Sequence, residues 1–311
     1  AGPMSALDPA GPAAAEIAWI WWVMFWPAMA ILALTAATGL YVVLRTPERR
    51  VRVSQRMLIL GGGIVVPGIR IAALLGYGLA AGRYLSPGID AGSVTTIDVT
   101  AHQWWWEVRY TAPDGTALFD ANEIHVRAGT PVEIRVTSAD VIHSFWIPRL
   151  GPKIDAVPGI TNRVRIEADR PGIFRGQCSE FCGLQHAGMV LHLVAHEDDA
   201  SVARRLQGLT AMRGASAMPE GHPGLEAFRQ HCAGCHSLDA TVRGTELGPN
   251  LAGVTQRRFL GAAALGNGPA ELRHWLADHQ SLKPGNRMPS VDHLDPDLLE
   301  AIVQLLEGAG P

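Results

Sequence analysis

The sequence predicts a multidomain membrane protein with three structural parts: a two-helix transmembrane hairpin, a β-sandwich or barrel, and a small all-α domain. Two long apolar stretches near the N-terminus predict the hairpin, a central region of period-two alternation predicts the β structure, and an amphipathic stripe near the C-terminus predicts helices. The 311 residues suffice for two compact domains beside the membrane segments. The net charge of -3 lacks the excess of basic residues typical of nucleic-acid binding, so the composition does not predict a nucleic-acid partner.

The predicted hairpin covers residues 17–85 and follows a short external segment, residues 1–16. No charged residue occurs in the first span, residues 17–44, and at about 1.5 Å per residue this helix exceeds the roughly 30 Å of bilayer hydrocarbon. The second span, residues 57–82, contains Pro67 and Arg70, and Arg70 either packs against a partner subunit or snorkels to the interface. Arginines concentrate between the spans, and such short loops stay cytoplasmic. Both termini are therefore expected on the outer side of a bacterial inner membrane.

Residues 93–197 alternate apolar and polar side chains in short runs, such as residues 132–136 and 163–166. Turn signals including Pro-Asp-Gly and Arg-Pro-Gly separate these runs, which favours a β-sandwich or barrel of about 100 residues. Residues 198–219 have the composition of a linker, which we expect to begin with a short helix and to end as a tether. Residues 220–311 predict the all-α domain, in which Asp295 and Pro296 begin a last helix with the apolar stripe Leu298, Leu299, Ile302, Val303, Leu305 and Leu306.

The first of two close cysteine pairs predicts a copper site. Cys178 and Cys182 share one loop with His186 and Met189, and His143 lies on an earlier strand. Thiolate, imidazole and thioether are soft ligands that favour copper, and two thiolates can bridge two coppers, each completed by one histidine. A structural zinc bound by the two cysteines and the two histidines is the alternative, but zinc leaves Met189 unexplained.

The loop at residues 176–189, Gly-Gln-Cys-Ser-Glu-Phe-Cys-Gly-Leu-Gln-His-Ala-Gly-Met, resembles the binuclear copper loop of cytochrome c oxidase subunit II. The stretches at residues 102–106, 143–148 and 153–159 resemble the same family, and the likeness extends across both membrane helices. The resemblance implies a cupredoxin-like sandwich and the following ligand roles: bridging by Cys178 and Cys182, one copper each for His143 and His186, a weak ligand in Met189, and a backbone carbonyl ligand in Glu180. It also implies that the Glu180 carboxylate binds a magnesium ion shared with the catalytic subunit.

The run Trp104-Trp105-Trp106 predicts a strand with Trp104 and Trp106 on one face and Trp105 on the other. In the family that the chain resembles, the first aromatic residue of this run is the point of electron entry, which implies that role for Trp104. The alternative to a role in electron entry is that all three are packing or interface residues. The family often has an acidic residue before the second membrane helix for proton entry, whereas residues 49–55 contain none and nearby Glu48 is not assigned.

The second pair, in Cys232-Ala-Gly-Cys235-His236, is the haem c attachment pattern, with two thioether bonds and an axial histidine. A bare redox dithiol would not explain His236. Met288 is the only methionine after the motif and is the favoured second axial ligand, in a segment similar to the ligand loop of bacterial cytochromes c. The rival ligands are His274, His279 and His293.

Together the resemblances imply an electron-entry subunit of a proton-pumping haem–copper terminal oxidase. Electrons would pass from an external donor through one haem c and two coppers to subunit I, where oxygen is reduced to water. The implied partners are subunit I, subunit III, a soluble or membrane-bound cytochrome donor, and membrane lipid. The alternatives are an electron-entry subunit of a related nitric oxide reductase and a free-standing membrane-anchored electron carrier.

Overall fold

The structure is a computed structural model that describes residues 4–46, 48, 54–85, 95–211, 221, 223–245 and 247–308. Most of the arginine-rich loop, the start of the predicted β domain at residues 93–94, and the end of the predicted linker, from residue 212, lie outside the described residues. The chain forms two compact units: residues 15–89, and residues 1–14 together with 90–311.

The first unit consists of two long apolar helices. Helix α1 spans Pro12–Leu44, and a π-helical stretch, Met57–Val65, continues directly into α2, Val66–Leu85. The stretches Pro12–Leu44 and Met57–Gly82 have mean hydropathies of 1.9 and 2.1, and both are long enough to cross a membrane. The hydroxyl of Tyr77 donates a 2.8 Å hydrogen bond to Glu16, which joins the two helices. The two predicted apolar spans therefore lie within observed helices, the first of which begins earlier than predicted, at Pro12.

The second unit is built around a sandwich of two five-stranded sheets, which we call the β-sandwich (residues 95–196). One sheet has the strand order β3-β2-β1-β5-β8 and the other β4-β10-β9-β6-β7. The strands are β1 Thr95–His102, β2 Trp105–Thr111, β3 Ala117–Ala121, β4 Glu123–Arg127, β5 Val132–Ser138, β6 His143–Trp146, β7 Ile154–Ala156, β8 Asn162–Ile166, β9 Gly172–Cys178 and β10 Val190–His196. Strands β1 and β5 are parallel, as are β4 and β10, whereas the remaining pairings are antiparallel.

Side-chain alternation explains how this sandwich closes. Along β5 the residues Val132, Ile134 and Val136 are buried, whereas Glu133 and Arg135 between them are partly exposed. The inward side chains of both sheets form one core that includes Trp106 and Phe145, whose rings pack edge to face. The same core contains both Cys178 and Cys182, so the loop that carries them is packed against the centre of the sandwich.

The remaining residues form what we call the C-terminal helical part (residues 199–308). It contains α3 Asp199–Ala211, α4 Pro223–His231, a short hairpin of β11 Phe259–Leu260 and β12 Leu265–Gly266, α5 Pro269–Leu282 and α6 Pro296–Gly308. Asp295 caps α6 by accepting a 2.9 Å hydrogen bond from the Asp297 amide. The predicted stripe of α6 faces the core: Ile302, Val303, Leu305 and Leu306 are buried, with Leu298 and Leu299 packed against them.

Buried ion pairs join the C-terminal helical part to the β-sandwich. The carboxylate of Asp120 on β3 forms ion pairs with Arg205 of α3 at 2.6 Å and with Arg257 at 2.8 Å. Asp120 is 1% exposed. Arg243 lies 3.0 Å from Glu107, and the Phe119 amide donates to the Ala240 carbonyl at 2.8 Å. These contacts place the Cys232–His236 segment beside the sandwich.

Candidate functional site

The loop at residues 178–189, which we call the metal-type loop, connects β9 to β10, the last two strands of the sandwich. Cys178 is the last residue of β9, a single 3-10 turn covers His186–Gly188, and Met189 immediately precedes β10. The Cys178 amide donates to the Met189 carbonyl at 3.0 Å, which closes the loop at its base. His143, the first residue of β6, reaches the loop from the neighbouring strand.

The structure brings all six predicted ligands of this loop together. The two sulfur atoms of Cys178 and Cys182 lie 3.7 Å apart. His143 Nδ1 lies 3.8 Å from the Cys178 sulfur, whereas His186 Nδ1 lies 3.6 Å from the Cys182 sulfur. The Met189 sulfur lies 4.0 Å from Cys182, and the Glu180 carbonyl oxygen lies 3.2 Å from Cys178.

This arrangement fits two soft metal ions better than one zinc ion. Each cysteine has its own histidine, and a thioether and a carbonyl oxygen add one weak donor near each sulfur. The ligand atoms of His143, Cys178 and Cys182 lie within 4.8 Å of one another, and all three side chains are buried. A tetrahedral zinc site would need no thioether donor, whereas Met189 is completely buried beside Cys182.

The two thiols do not ionise alike. A hydrogen bond shared with Cys182 lowers the pKa of Cys178 to about 3, and the same bond raises the pKa of Cys182 well above its usual range. Cys178 is therefore the more readily ionised of the two thiols. Thiolates are the form of cysteine that binds metal ions.

Asp140 orients the histidine on β6. His143 Nε2 lies 2.8 Å from the Asp140 carboxylate, which leaves Nδ1 facing the sulfur atoms. The carboxylate also accepts hydrogen bonds from the amides of Gln103 and Val141, both at 2.7 Å. Sequence reasoning missed Asp140, because a single acidic residue before a strand carries no recognisable ligand spacing.

Trp104 lies in the two-residue turn between β1 and β2 rather than on a strand. The prediction that Trp104 and Trp106 share a strand face is therefore wrong, since strand alternation begins only at Trp105. Trp106 is buried in the sandwich core, whereas Trp104 and Trp105 line a cavity beside it. The Trp104 indole Nε1 donates to the Cys182 carbonyl at 3.0 Å, and the Gln103 side-chain amide donates to the same oxygen at 2.8 Å.

That cavity, of about 390 Å³, lies where the C-terminal helical part meets the sandwich turn. It is lined by Cys232, Cys235 and His236 from one side and by Met288 from another, which gathers all four residues predicted to bind haem. His236 Nδ1 lies 2.7 Å from the Pro249 carbonyl, so Nε2 is left to face a ligand. Gly248 makes room for this ring, because a Cβ there would lie 2.5 Å from the imidazole.

The rival axial ligands occupy other positions. His279 is buried with its two ring nitrogens 3.2 Å from the Trp275 carbonyl and 3.1 Å from the Met288 carbonyl. His274 is exposed and does not line the cavity, and His293 is exposed at its edge, with its ring 6.3 Å from that of His231. Met288 is held in place by Asn286, whose side-chain oxygen accepts from the Met288 amide at 3.0 Å. The arrangement favours Met288 over the three histidines.

Comparison with known proteins matches part of the β-sandwich, and most of the chain, to one family. Residues 114–195 match the family model described as cytochrome c oxidase subunit II, periplasmic domain. The chain is 32% identical to cytochrome c oxidase subunit 2 of Alkalihalophilus pseudofirmus over 318 residues, which covers 97% of this chain and 90% of that relative. It is 31% identical to cytochrome c oxidase subunit 2 of Bacillus sp. strain PS3 over 227 residues, covering 69% and 62%.

Among solved structures, the chain is similar to the periplasmic domain of subunit II of the cytochrome oxidase of Bradyrhizobium japonicum. The identity is 34% with a TM-score of 0.35, and the match covers 39% of this chain and 94% of that chain. The match to the Alkalihalophilus relative, in contrast, extends over nearly the full length of both chains.

Proposed function

Because the chain belongs to the cytochrome c oxidase subunit II family, we propose that it takes electrons from an external donor onto a haem c and delivers them through a binuclear copper centre to subunit I of a proton-pumping oxidase. Family membership makes the chain a subunit of an oxidoreductase complex whose oxygen-reducing site lies in another subunit. It also means that the chain associates with other oxidase subunits. The two apolar helices anchor it in the membrane beside a periplasmic domain.

The copper centre is proposed to be held by Cys178 and Cys182 as bridges, with His143, His186, Met189 and the Glu180 carbonyl completing it. These are the residues that converge in the loop. When bound, two coppers supply a one-electron carrier. Because the ligands sit at the ends of packed strands, little rearrangement accompanies a change in charge.

The haem is proposed to be attached through Cys232 and Cys235, with His236 and Met288 as its axial ligands. The cavity volume of about 390 Å³ falls within the range of ligand pockets, roughly 300–1,000 Å³. The cavity walls include Phe228, Leu276 and Ile302, apolar side chains suited to an apolar ring. Pro249 fixes the ring of His236 through its Nδ1.

One observation carries the electron route: Trp104 touches both sites. Trp104 lines the cavity that His236 and Met288 also line, and its indole Nε1 donates to the carbonyl of the proposed copper ligand Cys182 at 3.0 Å. The connection from cavity to copper loop thus needs one side chain and one hydrogen bond. This supports Trp104 as the entry point, reached from the chain's own haem rather than from solvent.

The exposed tip of the loop suits the partner subunits. The Glu180 carboxylate and the Phe181 ring, 77% exposed, stand outward from the loop. We propose that this tip faces subunit I, where Glu180 contributes to a shared magnesium ion, and that subunit III completes the complex. The donor would be a soluble or membrane-bound cytochrome that reduces the haem.

We propose that both termini lie on the periplasmic side. The N-terminal segment supports this, because the Ala10 amide donates to the Arg149 carbonyl at 2.7 Å and Arg149 pairs with Asp8 at 3.0 Å. Residues 8–10 therefore pack on the β-sandwich and share its side of the membrane. Two spans then return the chain to that same side.

Metal and haem analysis of the purified complex tests this proposal. We expect two coppers and one covalent haem per chain, together with oxygen uptake from a reduced donor. Replacing Cys178→Ser and Cys182→Ser together should remove both coppers and reduce oxygen uptake to background while the haem stays. In the reciprocal variant, Cys232→Ser with Cys235→Ser, the covalent haem should be lost.

Zinc in place of copper, or copper unchanged in the first double variant, would contradict the copper assignment. Consumption of nitric oxide in place of oxygen would assign the complex to the related reductases. Isolation of the chain without any catalytic partner would support a free electron carrier.

A further inference from the structure

A buried lysine lies where the haem cavity, the Trp104 turn and the copper loop meet. The chain contains two lysines, and Lys283 is only 4% exposed whereas Lys153 lies on the surface. The Nζ of Lys283 donates to the carbonyl oxygens of Trp104 at 2.8 Å, Gly188 at 2.9 Å and Gly261 at 2.9 Å. An ammonium group has three N–H donors, so all three are used.

The three carbonyls belong to three separate segments. Trp104 lies in the β1–β2 turn and Gly188 precedes Met189 in the metal-type loop, whereas Gly261 belongs to the β11–β12 hairpin of the C-terminal helical part. Gly261 has a φ of +60°, and a Cβ there would lie 2.3 Å from the Trp275 ring, so this hairpin is closely fitted to the cavity wall. Lys283 therefore joins three chain segments at a single atom.

The residues after Lys283 follow the same surface. The Pro284 carbonyl accepts from the side chain of Gln185 at 2.9 Å, and Arg287 donates to the side-chain oxygen of Gln103 at 2.8 Å. These contacts lead directly to Met288, the proposed haem ligand. The segment from Lys283 to Met288 is thus seated along the sandwich.

Burying the ammonium group of Lys283 costs more free energy than burying an apolar side chain would. Burial lowers the pKa of its ammonium to about 7, and no ion pair joins it to a carboxylate among the residues that the structure describes. A buried charge is costly unless every donor is satisfied, as it is here, and the nearby Cys182 sulfur offsets only part of the effect of burial on the ammonium. An apolar residue of similar length would fill the volume without that cost, so the three directed bonds point to a requirement for orientation.

We propose that Lys283 is a positioning residue for electron transfer between the two cofactor sites, holding the Met288 segment in fixed register on the Trp104 turn and the metal-type loop. This inference rests on the proposed function. In the step it serves, one electron leaves the haem iron and one reaches the copper pair, and no bond or proton is exchanged. The external donor then replaces the electron on the haem.

Lys283→Met in the complete oxidase tests this role, because methionine keeps the length of the side chain and removes all three donors. The haem is reduced by a flash with a soluble ruthenium photoreductant, and the decay of reduced haem and the rise of reduced copper are followed. We expect the transfer rate to fall severalfold, because electron transfer slows as the distance between the two cofactors grows and as the contacts between them loosen. Lys283→Arg, which keeps charge and donors, should recover part of the rate.

Three readouts separate positioning from general damage. The absorption spectrum of the haem and the electron paramagnetic resonance of the copper should match those of the wild type, whereas amide hydrogen exchange should accelerate around Gly188 and Gly261. The matched control is Arg273→Met, which removes a cation of α5 that pairs with Glu300 at 2.8 Å within the C-terminal helical part. That control should change none of these quantities.

An unchanged transfer rate in an assembled Lys283→Met oxidase would overturn the proposal. If the wild type itself shows no transfer from haem to copper, the proposed function fails instead, which keeps the two outcomes distinct. If Lys283→Met does not assemble, acetylation of the wild-type oxidase decides: Lys283 should react far more slowly in the folded complex than after unfolding. Equal labelling in both states would show that Lys283 is not buried at this junction.

Discussion

Asp140 controls the direction in which His143 presents its ring. The carboxylate lies 2.8 Å from His143 Nε2 and is itself fixed by two backbone amides. Burial opposes the ionisation of Asp140, but the hydrogen bond to His143 and the two amides outweigh it and lower its pKa. The residue thus supplies a charged, immobile acceptor behind the proposed copper ligand.

Asp140→Asn should weaken copper binding by roughly 10- to 100-fold, the usual cost of removing a group that orients a metal-bound histidine. The reason is that the neutral amide holds His143 less firmly and makes its ring less basic. Competition between the oxidase and a copper chelator, followed by the copper absorption, measures the loss. Asp199→Asn is the control, because Asp199 pairs with Arg127 on the exposed surface of α3. Copper retention equal to that of the wild type would argue against this role of Asp140.

Helices α4 and α6 pack backbone to backbone at Gly224. A Cβ at this position would lie 2.1 Å from the Ala301 carbonyl oxygen and 3.1 Å from the Leu305 Cβ. Backbone atoms of α6 cannot move aside as a flexible side chain can. The C-terminal helical part therefore depends on glycine here for the distance between the two helices that enclose the cavity.

Gly224→Ala should destabilise the C-terminal helical part by about 1–3 kcal/mol, because the extra methyl group forces the two helices apart. Heating the oxidase while following the haem absorption should show loss of the native spectrum at a lower temperature than in the wild type. Gly308→Ala, at the end of α6, has no heavy atom within 4 Å of the added methyl group and serves as the control. An unaltered melting temperature for Gly224→Ala would show that the helices can separate at no cost.

The sequence predicted those elements whose signals are local. The loop was predicted from spacing, because its four ligand-type side chains lie within twelve residues: Cys178, Cys182, His186 and Met189. The apolar stripe of α6 was predicted in the same way, from residues close together in the chain. Trp104 was misplaced because alternation cannot show where a two-residue turn ends and a strand begins. Lys283 is 179 residues from Trp104, and no local pattern can predict a contact over that separation.

The β-sandwich and the C-terminal helical part are joined in a way that brings opposite charges together. On the sandwich, Glu107 pairs with Arg243, and Asp120 pairs with both Arg205 and Arg257. The carboxylate of Glu123 accepts a hydrogen bond from the Arg258 amide. Lys283 adds a bond that needs no acidic partner, directly beside the two proposed cofactor sites. The ion pairs thus bring the two parts together, and Lys283 is proposed to set the register between the two proposed cofactor sites.

Asp120 makes this junction sensitive to acid. Burial alone would raise its pKa, but Arg205 and Arg257 outweigh burial and hold the pKa below the usual range. A carboxylate whose pKa is depressed on folding stabilises the folded state fully above its unfolded value of about 3.9, and that contribution is lost as the pH falls through the folded-state pKa. Asp120→Asn should therefore destabilise the chain at pH 7 by about 3–5 kcal/mol, because two arginines are left buried without their partner.

Denaturant unfolding of wild type and Asp120→Asn, followed by tryptophan fluorescence between neutral and acidic pH, measures this effect. The difference in stability between the two should stay constant from pH 7 to about pH 5 and shrink below about pH 4, where Asp120 of the unfolded chain begins to be protonated while the folded carboxylate is still ionised. Asp98→Asn is the matched control, since Asp98 also accepts from two arginines, Arg109 at 2.8 Å and Arg135 at 2.7 Å, but its side chain is 25% exposed. Partly exposed pairs contribute at most about 1 kcal/mol, so the control should cost far less at neutral pH. Equal costs for Asp98→Asn and Asp120→Asn would show that the buried ion pairs do not hold the two parts together.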